Sequence, residues 1–326
     1  MTNPPPRHRP RKRFGQNFLR DAAVIDRIAD AVHARAAQHL VEIGPGQGAL
    51  TGALAASGCR LDVIELDRDL VPGLLAAFSV YPRFRLHSQD VLTFDFAALA
   101  RAGQTLRVVG NLPYNIATPL IFRLLDHTAL LQDMHFMLQR EVVERLAAAP
   151  GGKNWGRLGI MAQHLCAVEH LFDVPPEAFY PPPRVHSAVV RLTPYRASPW
   201  PHCDRARLRR VVQAAFAQRR KTLRNNLKGL IDDASLASLG IDPGARAETL
   251  ELAILGIDSA EDYARVLNYL EGLDTVSHLF VRGVGAAGLD VEIATRGGRE
   301  ALASSIAFGR VLVPVAGRMD AFQVVR

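Results

Sequence analysis

The sequence predicts an α/β fold with helices on both faces of a mostly parallel sheet, followed by a small domain built of helices alone. Three observations lead to this prediction. Short apolar runs alternate with helical patterns from about residue 40 to 138. Two further strand-like runs then flank a proline-rich turn, and residues 203–270 show helical patterns only.

The strand-like runs of the first part are HLVEIG, RLDVIEL, FRLHSQD, TLRVVGN and MHFMLQ, and the helical stretches between them include GALTGALAAS and DLVPGLLAAF. Strands that alternate with helices in this way pair in parallel, because each helix carries the chain back across a face of the sheet. The runs IMAQHLCAVEHLFDV and VHSAVVRLTP flank the turn-rich PPEAFYPPPR. They predict an antiparallel hairpin at the edge of the sheet.

Changes in composition give the predicted domain boundaries. A basic, flexible tail is expected over residues 1–13 and the α/β domain over 14–198. The helical domain is expected over 199–272, since the linker-like YRASPWPHCD surrounds Pro199. Residues 273–326 are rich in Gly, Val and Ala with few aromatic residues, which suggests weak packing, and no role is assigned to them.

The net charge is +7, and the positive charge is concentrated at the N-terminus and in DRARLRRVVQAAFAQRRKTLRNNLK. A solvated helix face normally carries interspersed carboxylates, but none lies between Arg205 and Lys228. A basic stripe of this kind is typical of a surface that binds a polyanion. The residues predicted to bind the phosphates of such a polyanion are Arg11, Lys12, Arg13, Arg219, Arg220, Lys221 and Arg224.

Targeting and metal-binding patterns are missing from the sequence. There is no run of about twenty apolar residues and no signal-peptide pattern, so a cytoplasmic protein is expected, with no membrane partner. Cys59, Cys166 and Cys203 are scattered, which favours reduced thiols over disulfides or zinc ligands. His164 and His170 lie near Cys166 on a strand-like run, where core or surface roles are favoured, and no metal is predicted.

A glycine-rich loop in VEIGPGQGALT places Gly44, Gly46 and Gly48 between a strand and a helix, where parallel sheets bind ligands. By itself this loop fits NAD, FAD or S-adenosylmethionine, or a tight turn. Glu65 ends the next strand, where a carboxylate can hold both hydroxyls of a ribose, although it could be a surface group. Asp90 follows the third strand, as an acceptor for an adenine amino group or as a helix cap.

Another strand ends in GNLPYN, with Asn111, Leu112, Pro113 and Tyr114. The simplest interpretation is a turn, because Gly, Asn and Pro are turn residues. The alternative is a site that holds a nucleobase by its edge and face. A dehydrogenase would leave Asp90 and this strand end without a role, whereas a class I S-adenosylmethionine-dependent methyltransferase accounts for all of these features.

In that methyltransferase, the side-chain oxygen of Asn111 and the backbone carbonyl of Leu112 would accept the two N6 hydrogens of an adenine. These contacts would draw the nitrogen lone pair out of conjugation. Pro113 would hold the backbone, and Tyr114 would stack on the base, a contact that contributes roughly 1–3 kcal/mol. Phe179, in EAFYPPPRV, is either a second aromatic wall of this site or a core anchor.

Several motifs together resemble one family. GQNFLRD, VEIGPGQGALT, VIELDRD, GNLPYNIATPL, MLQREVVERLAA, WGRLGIMAQ, FYPPPRVHSAVVRL and FAQRRKTLRNNL are similar to the bacterial small-subunit ribosomal RNA adenine dimethyltransferases, the kasugamycin-sensitivity enzymes. The resemblance covers about residues 11–270 and implies a class I methyltransferase domain with S-adenosyl-L-methionine as cofactor. The implied cofactor-binding residues are Asn17, Leu19, Gly44, Gly46, Glu65, Asp90 and Asn111.

The resemblance also implies a function: dimethylation of two adjacent adenines in a hairpin near the 3′ end of 16S rRNA, within an immature 30S subunit, by a monomeric enzyme. One alternative is the related large-subunit rRNA dimethyltransferase that confers macrolide resistance. FAQRRKTLRNNL and the length of the helical domain weigh against it. A second alternative is a non-catalytic RNA-binding assembly factor of the same fold, against which the intact Asn-Leu-Pro-Tyr run argues.

Overall fold

A computed structural model of the chain describes residues 11, 16–100, 104–113, 116–149, 154–199, 203–218, 221–239, 241, 243–247, 252–255, 265–266, 269–270, 272–273, 275–285, 288–295, 302, 305–306, 311–314 and 321–324. The chain forms two compact units. The first contains residues 1–144 and 165–199, and the second contains residues 145–164 and 200–326.

The first unit is built on a seven-stranded sheet. The strands of the chain up to residue 199 are β1 (Phe18–Leu19), β2 (His39–Ile43), β3 (Arg60–Glu65), β4 (Phe84–Ser88), β5 (Leu106–Asn111), β6 (Leu131–Gln139), β7 (Cys166–Val174), β8 (Phe179–Tyr180) and β9 (Ser187–Pro194). The helices over the same stretch are α1 (Ala22–Val32), α2 (Ala49–Ala56), α3 (Val71–Phe78), α4 (Ala117–Leu125), α5 (Arg140–Leu146) and α6 (Arg157–Leu165).

The large sheet has the strand order β4-β3-β2-β5-β6-β9-β7. Strands β4, β3, β2, β5 and β6 pair in parallel, whereas β9 pairs antiparallel with both β6 and β7. The structure therefore confirms the mostly parallel sheet and the antiparallel hairpin at its edge. Strands β1 and β8 form a separate antiparallel pair.

Helix α1 shows how the sequence covers one face of this sheet. Asp21 caps the helix by accepting a hydrogen bond from the backbone N–H of Val24, at 3.1 Å. Val24, Ile28 and Val32 recur every four residues, so they lie on one face of the helix, and all three are buried. They pack in a cluster with side chains of β2, β3 and α2. Each fully buried Val or Ile side chain contributes about 1.5–3 kcal/mol.

The predicted strand IMAQHLCAVEHLFDV is wrong in its first part, because residues up to Leu165 belong to α6 and β7 begins only at Cys166. Tertiary contacts explain the difference. The side chain of Gln163 donates to the carbonyls of Leu146, at 2.7 Å, and Ala148, at 2.9 Å. His164 is consequently helical.

Within the described part of the chain, no group of His, Cys, Asp or Glu side chains could hold a metal ion.

Besides residues 145–164, the second unit contains the predicted helices after residue 203: α7 (Arg205–Ala215), α8 (Leu223–Asn226) and α9 (Asp233–Ser238). It also contains β10 (Leu252–Leu255), β11 (Val276–Gly285), β12 (Gly288–Thr295), β13 (Leu312–Pro314) and β14 (Ala321–Val324), in the order β11-β12-β10-β14-β13. Strand β10 departs from the prediction of helices alone for residues 203–270. Its backbone pairs with β12 and β14, which follow much later in the chain and gave no local signal.

No helix in the described parts of either unit is long and apolar enough to cross a bilayer. Among the cysteines, Cys59 and Cys166 are buried and Cys203 is exposed.

Candidate active site

A cavity lies at the carboxyl edge of β2, β3 and β5 and encloses about 1380 Å³ of space, part of it open to solvent. It brings together every residue predicted to bind the cofactor. These residues are Asn17, Leu19, Gly44, Gly46, Glu65, Asp90 and Asn111. Leu112 and Pro113 line the same cavity, so the GNLPYN strand end opens into the space that the glycine-rich loop surrounds.

Two glycines keep this space open. Gly46 has a φ of +59°, and a Cβ atom there would lie 2.9 Å from the ring of Phe18. Both the backbone conformation and the close contact exclude a larger residue. At Gly110, a Cβ atom would lie 2.6 Å from the backbone oxygen of Ile43. The close approach of β2 and β5 at the cavity edge therefore depends on glycine at position 110.

Glu65 is held by the loops on either side of it. Its carboxylate accepts hydrogen bonds from the backbone N–H of Asp67, at 2.8 Å, and of Gly46, at 3.3 Å. The side chain is only 6% exposed. Burial raises the pKa of Glu65, and the two backbone hydrogen bonds oppose this shift. Each carboxylate oxygen keeps a second lone pair, so the group can accept from a pair of ligand hydroxyls.

Asp90 stabilises a turn after β4 and lines the cavity. One of its oxygens accepts a hydrogen bond from the backbone N–H of Leu92, at 2.8 Å, which closes a local turn after β4. The residue also lines the cavity. The turn thus orients the carboxylate, and the second oxygen has acceptor capacity for a ligand amino group.

Asn111 has its side chain oriented by the segment before β1. Its amide nitrogen donates to the backbone oxygen of Asn17 at 3.1 Å. The side-chain oxygen is thereby set apart as an acceptor in the cavity. The next residue, Leu112, is fully buried, and its backbone N–H donates to the carbonyl of Met137 at 3.1 Å. Both residues are therefore fixed by neighbouring strands rather than by the turn alone.

The two predicted aromatic walls differ in what the structure describes. Tyr114 lies outside the described residues. Phe179 is 5% exposed, pairs with Leu19 between β8 and β1, and packs in the apolar cluster that contains Val174 and Ala178. It does not belong to the side chains that line the cavity. This position favours the core-anchor interpretation of Phe179.

Glu42 lines the cavity, although its role was not considered from the sequence. It lies within β2, is 2% exposed, and its Oε2 has no hydrogen-bond partner among the described residues. Burial raises the pKa of Glu42 to about 8, and the nearby charge of Glu65 adds to the shift. The carboxyl group is therefore mostly protonated at neutral pH. In the sequence, the indication of a role for Glu42 was an acidic residue next to the apolar residues Leu40, Val41 and Ile43 of β2.

His135 is a second cavity residue that the sequence did not reveal. It lies in β6, is 2% exposed, and its Nδ1 is 3.6 Å from Asp133 Oδ1, beyond a normal hydrogen bond. Met137, two residues further along β6, lies opposite Asn111 in the sheet register and also lines the cavity. The alternation of side chains along a strand places His135 and Met137 on the same face.

Arg11, predicted to bind RNA, contacts carboxylates beside the cavity. Its guanidinium forms ion pairs with Asp67, at 2.9 Å, and with Asp69. Gln16 also donates to Asp67, at 2.8 Å. Asp67 in turn donates its backbone N–H to Glu65, so this segment supports the cavity wall. Lys12 and Arg13 lie outside the described residues.

The basic patch of the second unit is described only in part. Lys221 and Arg224 are exposed, whereas Arg219 and Arg220 lie outside the described residues. Arg224 pairs with Asp233, with Nε 2.6 Å from Oδ2. Asp233 lies outside residues 205–228, the stretch of the sequence without Asp or Glu. The charge of Arg224 is thus partly balanced within the unit.

Comparison with known proteins identifies the family. The family model described as ribosomal RNA adenine dimethylase matches residues 7–266. The chain belongs to this family. A curated relative from Pseudomonas aeruginosa, named ribosomal RNA small subunit methyltransferase A, is 62% identical over 246 residues, covering 76% of this chain and 92% of the relative. The relative of the same name from Chromohalobacter salexigens is 56% identical over 274 residues, covering 83% and 94%.

Two solved structures share the fold. A dimethyladenosine transferase from Plasmodium falciparum matches with a TM-score of 0.58 and 27% identity, covering 68% of this chain and 78% of that one. The 23S rRNA methyltransferase ErmE matches with a TM-score of 0.57 and 26% identity, covering 72% and 95%. The predicted fold class, a methyltransferase-type α/β domain with an antiparallel edge hairpin, is confirmed.

Proposed function

We propose that this protein dimethylates two adjacent adenines of a hairpin near the 3′ end of 16S rRNA, with S-adenosyl-L-methionine as methyl donor. The chain is an rRNA adenine dimethyltransferase by family, and its curated relatives are named for the small ribosomal subunit. The observation that carries the site assignment is the single cavity that joins the glycine-rich loop, Glu65 and Asp90 to the Asn111–Leu112–Pro113 strand end.

The donor groups of the cavity fit this cofactor. Glu65 accepts from the ribose hydroxyls, and Asp90 accepts from the adenine amino group. Gly44 and Gly46 line the methionine part, over which Asn17 and Leu19 close. Glu42 offers a buried carboxyl oxygen without a hydrogen-bond partner among the described residues, and a cationic ligand group beside it would favour the ionised form of this carboxyl. The described residues that line the cavity include no arginine or lysine to counter a pyrophosphate, which favours S-adenosyl-L-methionine over a dinucleotide.

The target adenine is proposed to lie at the strand end. S-adenosyl-L-methionine supplies an electrophilic methyl group on a positively charged sulfur. Asn111 Oδ1 and the Leu112 carbonyl accept the two N6 hydrogens and draw the nitrogen lone pair out of conjugation with the ring. Pro113 limits movement of this backbone, and Tyr114 stacks on the base. Catalysis then rests on positioning and electrostatics, and the product amine releases its proton to water.

RNA affinity is proposed to come mainly from phosphate contacts outside the cavity. Lys221 and Arg224 are exposed cations in a segment without carboxylates, and Arg219 and Arg220 adjoin them in the sequence. Arg11, Lys12 and Arg13 form the proposed second contact. Phosphate contacts position the RNA and do not read its sequence. The proposed partner is rRNA within an immature 30S subunit in the cytoplasm, bound by a monomer that requires no metal.

Two other functions remain to be distinguished by experiment. Methylation of large-subunit rRNA is represented by ErmE, whose structure is 26% identical to this chain, against 62% for the Pseudomonas aeruginosa relative named for the small subunit. A non-catalytic assembly factor would not need the acceptor that Asn17 orients in Asn111. The identities favour the small-subunit activity, and the oriented acceptor of Asn111 favours an enzyme over an assembly factor.

The decisive experiment uses a strain from which the gene is deleted. Mass spectrometry of digested 16S and 23S rRNA should show loss of dimethyladenine from 16S rRNA only. Complementation with the wild-type gene should restore it. Restoration in 23S rRNA would identify the large-subunit activity instead. Binding to 30S particles without any change in dimethyladenine would identify an assembly factor.

The cofactor assignment predicts the effect of Glu65→Ala. This change removes a charged acceptor for two hydroxyls, and hydrogen bonds to charged groups contribute about 1.5–3 kcal/mol each. Affinity for S-adenosylmethionine should fall at least about tenfold, while affinity for RNA should stay the same. Calorimetry gives the first quantity and a filter-binding assay the second. The control is Glu169→Ala, at an exposed carboxylate paired with Arg191. Equal cofactor affinity in both variants would refute the ribose contact.

A further inference from the structure

An exposed aromatic residue lies on the strand that pairs with cavity-lining residues and has no role in the site described above. Tyr180 is 50% exposed, and it is the only aromatic side chain among the exposed large apolar residues in the described part of the chain. The guanidinium carbon of Arg20 lies 4.2 Å from the centre of its ring. Half of the tyrosine surface remains open even with this cation against it.

The pairing of β1 with β8 fixes the position of Tyr180 relative to the cavity. Tyr180 lies opposite Phe18, and Phe179 lies opposite Leu19. Phe18 and Leu19 both line the cavity, whereas Phe179 is buried in the core. Because side chains alternate along a strand, Tyr180 points away from that core. Its Cα atom is one interstrand spacing, roughly 5 Å, from that of a cavity residue.

The backbone around the aromatic residue is well anchored. The N–H groups of Arg20 and Asp21 both donate to the carbonyl of Ala178, at 2.8 and 3.3 Å. These bonds hold the segment that carries Arg20 next to the strand that carries Tyr180. The cation and the ring are therefore presented together on a fixed support, which reduces the entropy lost when a ligand binds.

The charge and polarity around Tyr180 suit a single nucleotide. The sequence PPPRVH after β8 carries Arg184 and no carboxylate, and Val185 is 43% exposed. An aromatic face stacks on any base, and an arginine beside it can contact the phosphate of the same nucleotide. A protein partner would need a larger continuous apolar surface than one ring and one valine provide.

We propose that Tyr180, with Arg20 against its ring, is a stacking platform for the nucleotide next to the adenine in the cavity. This inference rests on the proposed function, because its ligand is the RNA that the enzyme modifies. An adenine can enter the cavity only when it is unstacked from its neighbour. The platform replaces that lost stacking contact. In a substrate with two adjacent adenines, the neighbour held on Tyr180 is the other target base, so the platform favours modification of both.

The kinetic test compares Tyr180→Ala with Tyr180→Phe on 30S particles from the deletion strain. Tyr180→Ala should lower kcat/KM for the particles roughly tenfold, through KM, because base stacking is lost. Particles with only one of the two adenines dimethylated should accumulate. Tyr180→Phe keeps the ring and should behave as wild type. The control Val80→Ala removes an exposed apolar side chain, 76% exposed, and should change nothing.

Two further measurements separate the platform from a structural role. Affinity for S-adenosylmethionine should be the same in all variants, and a fall in that affinity with Tyr180→Ala would show that Tyr180 supports the fold instead. A photoreactive benzoylphenylalanine at position 180 should cross-link to the nucleotide adjoining the modified adenine. A cross-link to a ribosomal protein or a distant nucleotide would overturn the proposal.

The outcomes also separate this inference from the proposed function. If the wild-type protein leaves 16S rRNA unmethylated, the proposed function fails. If the wild type methylates both adenines and Tyr180→Ala does so with the same kcat/KM, only the platform is refuted.

Discussion

Asn111→Ala should lower the turnover number about 10²–10³-fold, the usual effect of removing one preorganised hydrogen-bonding group from the reacting centre. The nitrogen of an adenine amino group is a poor nucleophile because its lone pair is delocalised into the ring. In the proposed mechanism Asn111 Oδ1 draws that lone pair toward the methyl group. The contact of its amide nitrogen with Asn17, at 3.1 Å, holds the oxygen in place. Affinity for RNA should change little, since phosphate contacts lie elsewhere.

The measurement is single-turnover methyl transfer to 30S particles, with RNA affinity determined separately. Asn111→Asp is the matched variant, because it keeps an oxygen acceptor while it replaces the donor to Asn17 with a charged oxygen. It should retain more activity than Asn111→Ala. If Asn111→Ala still gives complete dimethylation at the wild-type rate, the strand end is a turn and the activation mechanism is wrong.

Much of this cavity was predictable because its signals are local. Gly44, Gly46 and Glu65 follow strands at spacings that place them at one edge of a parallel sheet. The strand end at Asn111 has the same property. Since the carboxyl ends of parallel strands meet at that edge, the pattern of apolar runs was enough to bring these residues together.

Other parts depend on contacts between residues distant in sequence. Glu42 and His135 occupy ordinary positions within strands, and only the packing over the sheet shows that they are buried and face the cavity. The burial of Phe179 follows from the pairing of β8 with β1, more than 150 residues earlier in the chain. Arg11 contacts Asp67, which lies 56 residues later in the chain. The sequence shows only the cluster of positive charges around Arg11, and the prediction of an RNA contact was based on that cluster. Periodicity gives no information on such partners.

Asp62→Ala should destabilise the first unit by about 3–5 kcal/mol, the usual cost of breaking a buried ion pair from one side. Asp62 is fully buried in β3. It accepts hydrogen bonds from Nε2 of His39 and of His87, each at 2.7 Å, and from Arg60 at 3.1 Å. Asp62 does not line the cavity, so the loss concerns stability alone. Removing the carboxylate leaves these donors without an acceptor, and a replacement by alanine adds a cavity.

The change should appear as a lower urea midpoint in denaturation followed by circular dichroism, with Asp26→Ala, at an exposed carboxylate of α1, as the control. The effect of pH provides an independent check. Burial alone would raise the pKa of Asp62, but the hydrogen bonds from His39 and His87 outweigh it and hold this pKa well below its ordinary value. A depressed folded-state pKa means that the stabilisation is present above about pH 4 and is lost as the pH falls below it. The difference between wild type and Asp62→Asn should therefore shrink in acid. A difference that stays constant from neutral pH to about pH 3 would show that Asp62 acts through packing and not through its charge.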